Sequence, residues 1–302
     1  MKQINLLYLK AVEVFLVILI IGSNGQLGLE MQKQFNNKGI SYKAFDYPEA
    51  DITDMDCLRR LFDEVKPDAV INCAAYTNVD AAEIDLENAY KVNALGAKHL
   101  AELCNEFDIE LVHISTDYVF SGEGIIENGV KRPYIETDLC APVAVYGKTK
   151  YEGEQFVQSN CKKYYILRTA WLYGEGNNFV RTMLKLAQTN DKITVVNDQI
   201  GSPTSTVDLA NAIISLIESG LYGIYHATCE GQCSWYEFAI KIFELKQIDV
   251  KVVPVTTEQF IRPAKRPAWS VLENAALKSI DKNVFRNWEE SLTEYLVLNK
   301  DV

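Results

Sequence analysis

An uninterrupted apolar run, Val14 to Ile21, passes without a spacer into Gly22-Ser23-Asn24-Gly25-Gln26-Leu27-Gly28. No other feature of the chain restricts its fold so strongly. The run is too short to span a bilayer, and apolar residues at every position imply a strand buried on both faces. The glycine turn that closes it opens a segment of helical periodicity, Leu27 to Phe35. Lys10 and Glu13 interrupt the wider apolar stretch beginning at Leu6, and no small-residue cleavage pattern follows, so neither a signal peptide nor a membrane anchor is expected. Residues 1–13 read as an extension ahead of the first strand.

The same rhythm recurs. Branched apolar runs stand at Ala69 to Cys73, Leu111 to Ser115 and Tyr164 to Leu167, and helical segments are expected at Met55 to Val65, Glu87 to Phe107 and Lys148 to Gln158. Continuously apolar strands alternating with helices specify an α/β chain, a Rossmann-like doubly wound parallel sheet. Beyond residue 173 the pattern is cut by Gly174, Gly176, Gly201, Pro203, Pro254, Pro263 and Pro267. The expected organisation is a dinucleotide-binding domain over 14–172, with a return segment near 203–226, and a smaller C-terminal substrate-binding lobe spread over 173–302.

Charge narrows the partners. With 41 acidic and 30 basic side chains the net charge is −11, which repels phosphate backbones, and no Lys/Arg run offsets it; nucleic acid is not an expected partner. An anionic ligand would need local help from helix N-termini or from placed arginines such as Arg262 and Arg266. The seven cysteines are odd in number and scattered, unlike a secreted disulfide framework, and are read as reduced thiols in a cytoplasmic protein. Cys229 and Cys233 lack a matching Cys or His pair, so no metal site is expected.

The glycine turn can carry chemistry because it lies between a strand and a helix. A pyrophosphate needs close backbone approach and a helix N-terminus aimed at it, which makes Gly22, Asn24, Gly25, Gln26, Leu27 and Gly28 candidate cofactor contacts. The alternative is an ordinary tight strand-to-helix turn. Asp46 follows Gly28 by 18 residues, where a carboxylate can accept from an adenosine ribose hydroxyl; this favours NADH without excluding NADPH. Asp51 and Ile52 are placed beside the adenine, and the small Cys73-Ala74-Ala75 along the path of the dinucleotide. Tyr146 and Lys150, four residues apart, share one helix face. The ammonium is expected to lower the phenol pKa from about 10, fitting Tyr146 to give a proton to a carbonyl oxygen as hydride reaches the carbon. Thr116 ends an apolar strand at the edge where such folds bind ligands, and its hydroxyl is a third member of the proton path.

Glycine turn, Thr116, Tyr146 and Lys150 stand in the chain order of the extended short-chain dehydrogenases, which this chain resembles. Within them, Ser115-Thr116-Asp117-Tyr118-Val119-Phe120-Ser121-Gly122 is similar to the reductase branch: related nucleotide-sugar dehydratases have Glu after the Asp, and here the residue is Tyr118. Asn72 to Asp80, Arg168 to Gly174, Asn177-Asn178-Phe179, Asn197-Asp198-Gln199 and Arg262 to Pro267 extend a resemblance to the dTDP-4-dehydrorhamnose reductase family over about Val14 to Leu277. The resemblance implies reduction of the C4 carbonyl of dTDP-4-dehydro-L-rhamnose with NADPH or NADH. It implies substrate contacts at Thr116, Asp117 and Trp171, with Arg262 and Arg266 meeting the nucleotide diphosphate. Ile21 and Cys73 depart from residues usual there, and neither removes a reactive group. Some members bind magnesium at a dimer contact, where Glu30 matches one position, but a lone helical Glu is read as solvated and no metal is expected. A homodimer is compatible with the sequence. Other readings on the same scaffold are a reductase or epimerase of another nucleotide sugar, and a dinucleotide-binding regulatory subunit, against which the retained Tyr146 and Lys150 argue.

Overall fold

A computed structural model describes residues 16–217 and 219–299. The extension over residues 1–13, and the start of the expected first strand at Val14, lie outside them. Six strands form one parallel sheet: β1 (Ile18–Ile21), β2 (Tyr42–Phe45), β3 (Ala69–Asn72), β4 (Glu110–Thr116), β5 (Tyr164–Thr169) and β6 (Gly223–His226). Their spatial order is β6-β5-β4-β3-β1-β2, every pairing parallel. The chain reverses its direction of travel across the sheet between β1 and β3, so a crevice opens at their carboxyl ends, the place where such sheets bind ligands.

The continuous apolar strands are explained by what covers them. Ile18 and Ile20 point into a core shared with Met31 and Phe35 of α1 (Gln26–Lys38), while Leu19 and Ile21 point into another shared with Leu58 and Phe62 of α2 (Met55–Val65). Both faces are dry, and the alternation of a half-solvated strand never appears. The short α3 (Val79–Ala82) follows β3, its N-terminus capped by the Asn78 side chain. The expected helix from Glu87 to Phe107 is broken into α4 (Leu86–Tyr90), a π-helical turn Lys91–Leu95 and α5 (Gly96–Glu106). Apolar periodicity cannot reveal the wider turn, which keeps the helix axis and adds a residue to one revolution.

Helix α6 (Val145–Asn160) begins earlier than its apolar pattern and brings Tyr146 inside the first turn. After β5 come α7 (Phe179–Ala187), α8 (Thr206–Leu216), which packs on α1, and α9 (Trp235–Lys246), joined by short strands. Strand Lys192–Val196 pairs with Lys251–Val255 outside the main sheet. Glu30 is 7% exposed and accepts from Gln34 Nε2 at 2.7 Å, contrary to its reading as a solvated side chain. All seven cysteines are free. Among the described residues no helix is long and apolar enough to cross a membrane, and no cluster of His, Cys, Asp or Glu could hold a metal ion.

Candidate active site

The carboxyl ends of the strands deliver their next residues to a single cleft of about 1270 Å³. Every residue expected from the sequence to serve catalysis, cofactor or substrate lines it except Asn24 and Gly28, which lie within the same glycine turn. On one wall, Gly22 has φ +79°, and a Cβ there would stand 2.5 Å from the Ala74 nitrogen; one on Gly28 would meet the Gly22 oxygen at 2.3 Å. The β1 turn, the start of α1 and the strand end at Cys73-Ala74-Ala75 are therefore in direct backbone contact, an approach that side chains would forbid. Helix α1 starts at Gly25 with no side-chain cap and no acidic residue in its first turn. Its leading N–H groups are left for an anion, so the turn fits a dinucleotide pyrophosphate.

Asp46 does two things at this wall. Its Oδ2 accepts from the Asn24 N–H at 2.7 Å and its Oδ1 from the Tyr47 N–H at 2.8 Å, tying the end of β2 to the glycine turn. Each oxygen keeps a second lone pair able to accept. Asp51 accepts from both the N–H and the hydroxyl of Thr53, and Ile52 is buried against Gly96.

The opposite edge holds the polar cluster. Thr116 donates to Asp117 Oδ1 at 2.9 Å and accepts from the Tyr118 N–H at 3.2 Å. Asp117 is 5% exposed. Its Oδ2 has no partner among the described residues, the nearby Ser270 hydroxyl closing no bond of standard geometry, and burial pushes the carboxyl up to about 6. Tyr146 meets Tyr118 edge-on, ring centres 5.4 Å apart. Gly147 makes that approach possible, since a Cβ there would lie 2.2 Å from the Tyr118 carbonyl oxygen.

Lys150 is buried, and its Nζ donates to the Ile114 carbonyl at 2.6 Å. Burial brings its pKa down to about 8, with Glu154 acting in the opposite direction. The expected depression of the Tyr146 pKa is not found. Burial raises that phenol to about 12, outweighing the adjacent Thr116 hydroxyl, and Lys150 is spent on a backbone carbonyl instead. Tyr146 is thereby held protonated, the form a proton donor requires.

Two groups that the sequence reading overlooked fix these side chains. Glu154, two turns beyond Tyr146 on α6, is fully buried and receives Arg168 Nη2 at 2.7 Å and the Ser115 hydroxyl at 2.5 Å, so α6 is registered on β4 and β5 at once. Asn93, in the π-helical turn, accepts from the Tyr76 N–H at 2.9 Å and donates to Thr149 at 3.1 Å, joining the loop after β3 to α6. Each looks like an ordinary helix residue in sequence; only the π turn is a local hint, such bulges being frequent at functional sites.

Trp171 adopts φ +50° and stacks on Trp235 with ring centres 3.5 Å apart. A Cβ on Gly201 would stand 2.4 Å from the Trp171 ring. Arg262 and Arg266 reach the cleft from the irregular segment before the strand Trp269–Ser270, and both face Asp80 of α3.

A parallel doubly wound sheet, a glycine turn after β1 and a cleft across the switch point together define a Rossmann-like dinucleotide-binding fold. The family model described as the RmlD substrate binding domain matches residues 16–300, and the chain belongs to that family. The spore coat polysaccharide biosynthesis protein SpsK of Bacillus subtilis is 43% identical, the alignment covering 92% of this chain and 96% of the relative. A crystal structure of a dTDP-4-dehydrorhamnose reductase from Clostridium acetobutylicum is 51% identical with a TM-score of 0.91, covering 94% of this chain and 100% of that one. Another, from Bacillus anthracis in complex with NADP, is 42% identical with a TM-score of 0.87, covering 93% and 99%.

Proposed function

We propose that the protein is an NAD(P)H-dependent reductase that converts the C4 carbonyl of dTDP-4-dehydro-L-rhamnose to the alcohol of dTDP-L-rhamnose. The observation that carries the reading is the convergence of Thr116, Asp117 and Tyr146 at the carboxyl edge of the sheet, opposite an uncapped helix N-terminus in one continuous cleft. Reduced nicotinamide dinucleotide, when bound, supplies the hydride. The residues of this chain supply the rest. Gly22, Gly25, Gln26 and Leu27 offer backbone to the pyrophosphate, and Asp46 stands ready for the adenosine ribose. Tyr146 gives its phenolic proton to the C4 oxygen, Thr116 holds that oxygen, and Lys150 offers its ammonium to the nicotinamide ribose. Asp117, with one buried oxygen unsatisfied, accepts from a sugar hydroxyl. Trp171 packs on the sugar, and Arg262 and Arg266 meet the diphosphate.

The reading assigns residues 14–172, with the return at 203–226, to the dinucleotide half and most of 173–302 to the substrate half; pairing of β6 with β5 and packing of α8 on α1 support it. It includes a cytoplasmic setting, for which the free cysteines speak. The test is oxidation of NADPH and NADH by the purified protein with dTDP-4-dehydro-L-rhamnose, followed by product analysis. Substrate-dependent oxidation yielding dTDP-L-rhamnose is expected; tight dinucleotide binding with no turnover of this sugar would overturn it.

A further inference from the structure

Asp80 lies in the first turn of α3, on the sheet side of the cleft, yet both its oxygens are engaged by the opposite lobe. Its Oδ2 meets Arg266 Nη2 at 2.8 Å and Arg262 Nη1 at 3.9 Å, and its Oδ1 accepts from the Ala264 N–H at 3.2 Å. The segment carrying these arginines has no regular structure between the 3₁₀ turn Thr257–Gln259 and the strand Trp269–Ser270. Pro267 seats it on Gly122, where a Cβ would come within 2.5 Å of the ring. Asp80 is thus a charged tether between α3 and the arginine segment.

The guanidinium of Arg266 is only half used. Nη2 is held by Asp80 and the guanidinium stands within reach of the Tyr118 hydroxyl, while Nη1 is buried with no hydrogen bond of standard geometry among the described residues. A buried charged donor left unpaired is costly, and both arginines line the cleft. Arg262 lies over the Phe260 ring, 4.7 Å from its centre, which aligns a side chain otherwise half exposed. One carboxylate cannot neutralise two guanidinia, so the group keeps a net positive charge in a chain whose overall charge is −11. Asp80 spends its oxygens on the arginine segment and so holds both Arg266 and Arg262 at the lining of the cleft.

We propose that Asp80 is a positioning residue for the diphosphate of the substrate: it orders Arg266, and through the Ala264 N–H the segment that bears Arg262, before the nucleotide arrives. The inference rests on the reading that these two arginines meet a diphosphate. Ordering a long side chain in advance removes that loss of freedom from the binding step. Loss of the tether therefore weakens phosphate binding even though it removes a negative charge from the neighbourhood, a sign opposite to simple charge counting.

The experiment titrates wild-type protein and the variants Asp80→Asn, Asp80→Glu and Arg266→Met with dTDP and with inorganic pyrophosphate, alongside NADPH binding and thermal unfolding. Asp80→Asn is expected to raise the Kd of dTDP and of pyrophosphate about tenfold, with NADPH affinity and Tm unchanged, and Asp80→Glu to recover part of the loss. Unchanged or tighter dTDP binding in Asp80→Asn, with Arg266→Met weakened, would overturn the positioning role and leave the arginine reading intact. Full affinity in Arg266→Met would remove the arginine reading and the proposal with it. A matched loss of NADPH and dTDP affinity with a lowered Tm would make Asp80 a structural tether only.

Discussion

The two walls of the cleft are built in different materials. The wall proposed for the dinucleotide is backbone and small residues: Gly22, Gly28, Cys73 and Ala74 approach through main-chain atoms, locked by Asp46 across the turn. The wall proposed for the sugar is side chains from distant segments: Thr116 from the end of β4, Asp117 from the turn after it, Tyr146 from α6, Trp171 from beyond β5, and the arginines from the 262–266 segment. A backbone wall fails through steric intrusion, a side-chain wall through loss of one chemical group. The two therefore respond differently to single substitutions.

The largest separation is expected at Tyr146. Tyr146→Phe keeps the ring against Tyr118 and removes only the proton donor, so kcat falls about 10²–10⁴-fold while dinucleotide affinity holds. Single-turnover hydride transfer and a dinucleotide titration on the same sample check both halves; a normal rate would take the acid role from Tyr146. On the other wall, Gly22→Ala forces a side chain into positive φ and against the Ala74 nitrogen. The strain, about 1–3 kcal/mol, is expected to raise the NADPH Kd about ten- to a hundredfold with the pH profile unaltered. Retained NADPH affinity would mean the two backbones can part at no cost.

The smallest effect is one of pH. In the free protein Asp117 titrates at about 6 and Lys150 at about 8, so kcat/KM is expected to rise through the first value and fall beyond the second. Asp117→Asn should erase the acid limb and keep the alkaline one. Stability moves the other way. The folded carboxyl retains its proton above its ordinary value of 3.8, so Asp117 destabilises the fold progressively as pH rises from there to about 6. Thermal unfolding of Asp117→Asn across that interval should lack this decline; an identical pH dependence would show that Asp117 is not the group responsible.

The difference between the walls also explains what could be read in advance. The strand-to-helix glycine turn, the position of Asp46 and the Tyr146–Lys150 spacing are local patterns, because backbone contact and a shared helix face demand fixed intervals. The doubly wound sheet was legible for the same reason, β1 and β3 being apolar at nearly every position. Trp235, Gly201 and Asp80 gave no such warning: they act across large sequence separations, and nothing near Asp80 announces two arginines from the other end of the chain. The direction of the Tyr146 pKa shift was misread because spacing reports who can meet, whereas burial decides which charge is favoured.

Helix α6 has one more consequence. Tyr146, the proposed proton donor, sits at its N-terminal end, and the Glu154–Arg168–Ser115 bonds clamp it two turns away, in a place no solvent reaches. A helix advances about 1.5 Å per residue, and its buried ion pair has one well-bonded partner arrangement, so the rod cannot creep along the sheet in small increments. Damage at the clamp would not leave a slightly slower enzyme with a shifted phenol. It would divide the population into molecules with the proton donor in place and molecules without it, and measured activity would report the proportion of the two.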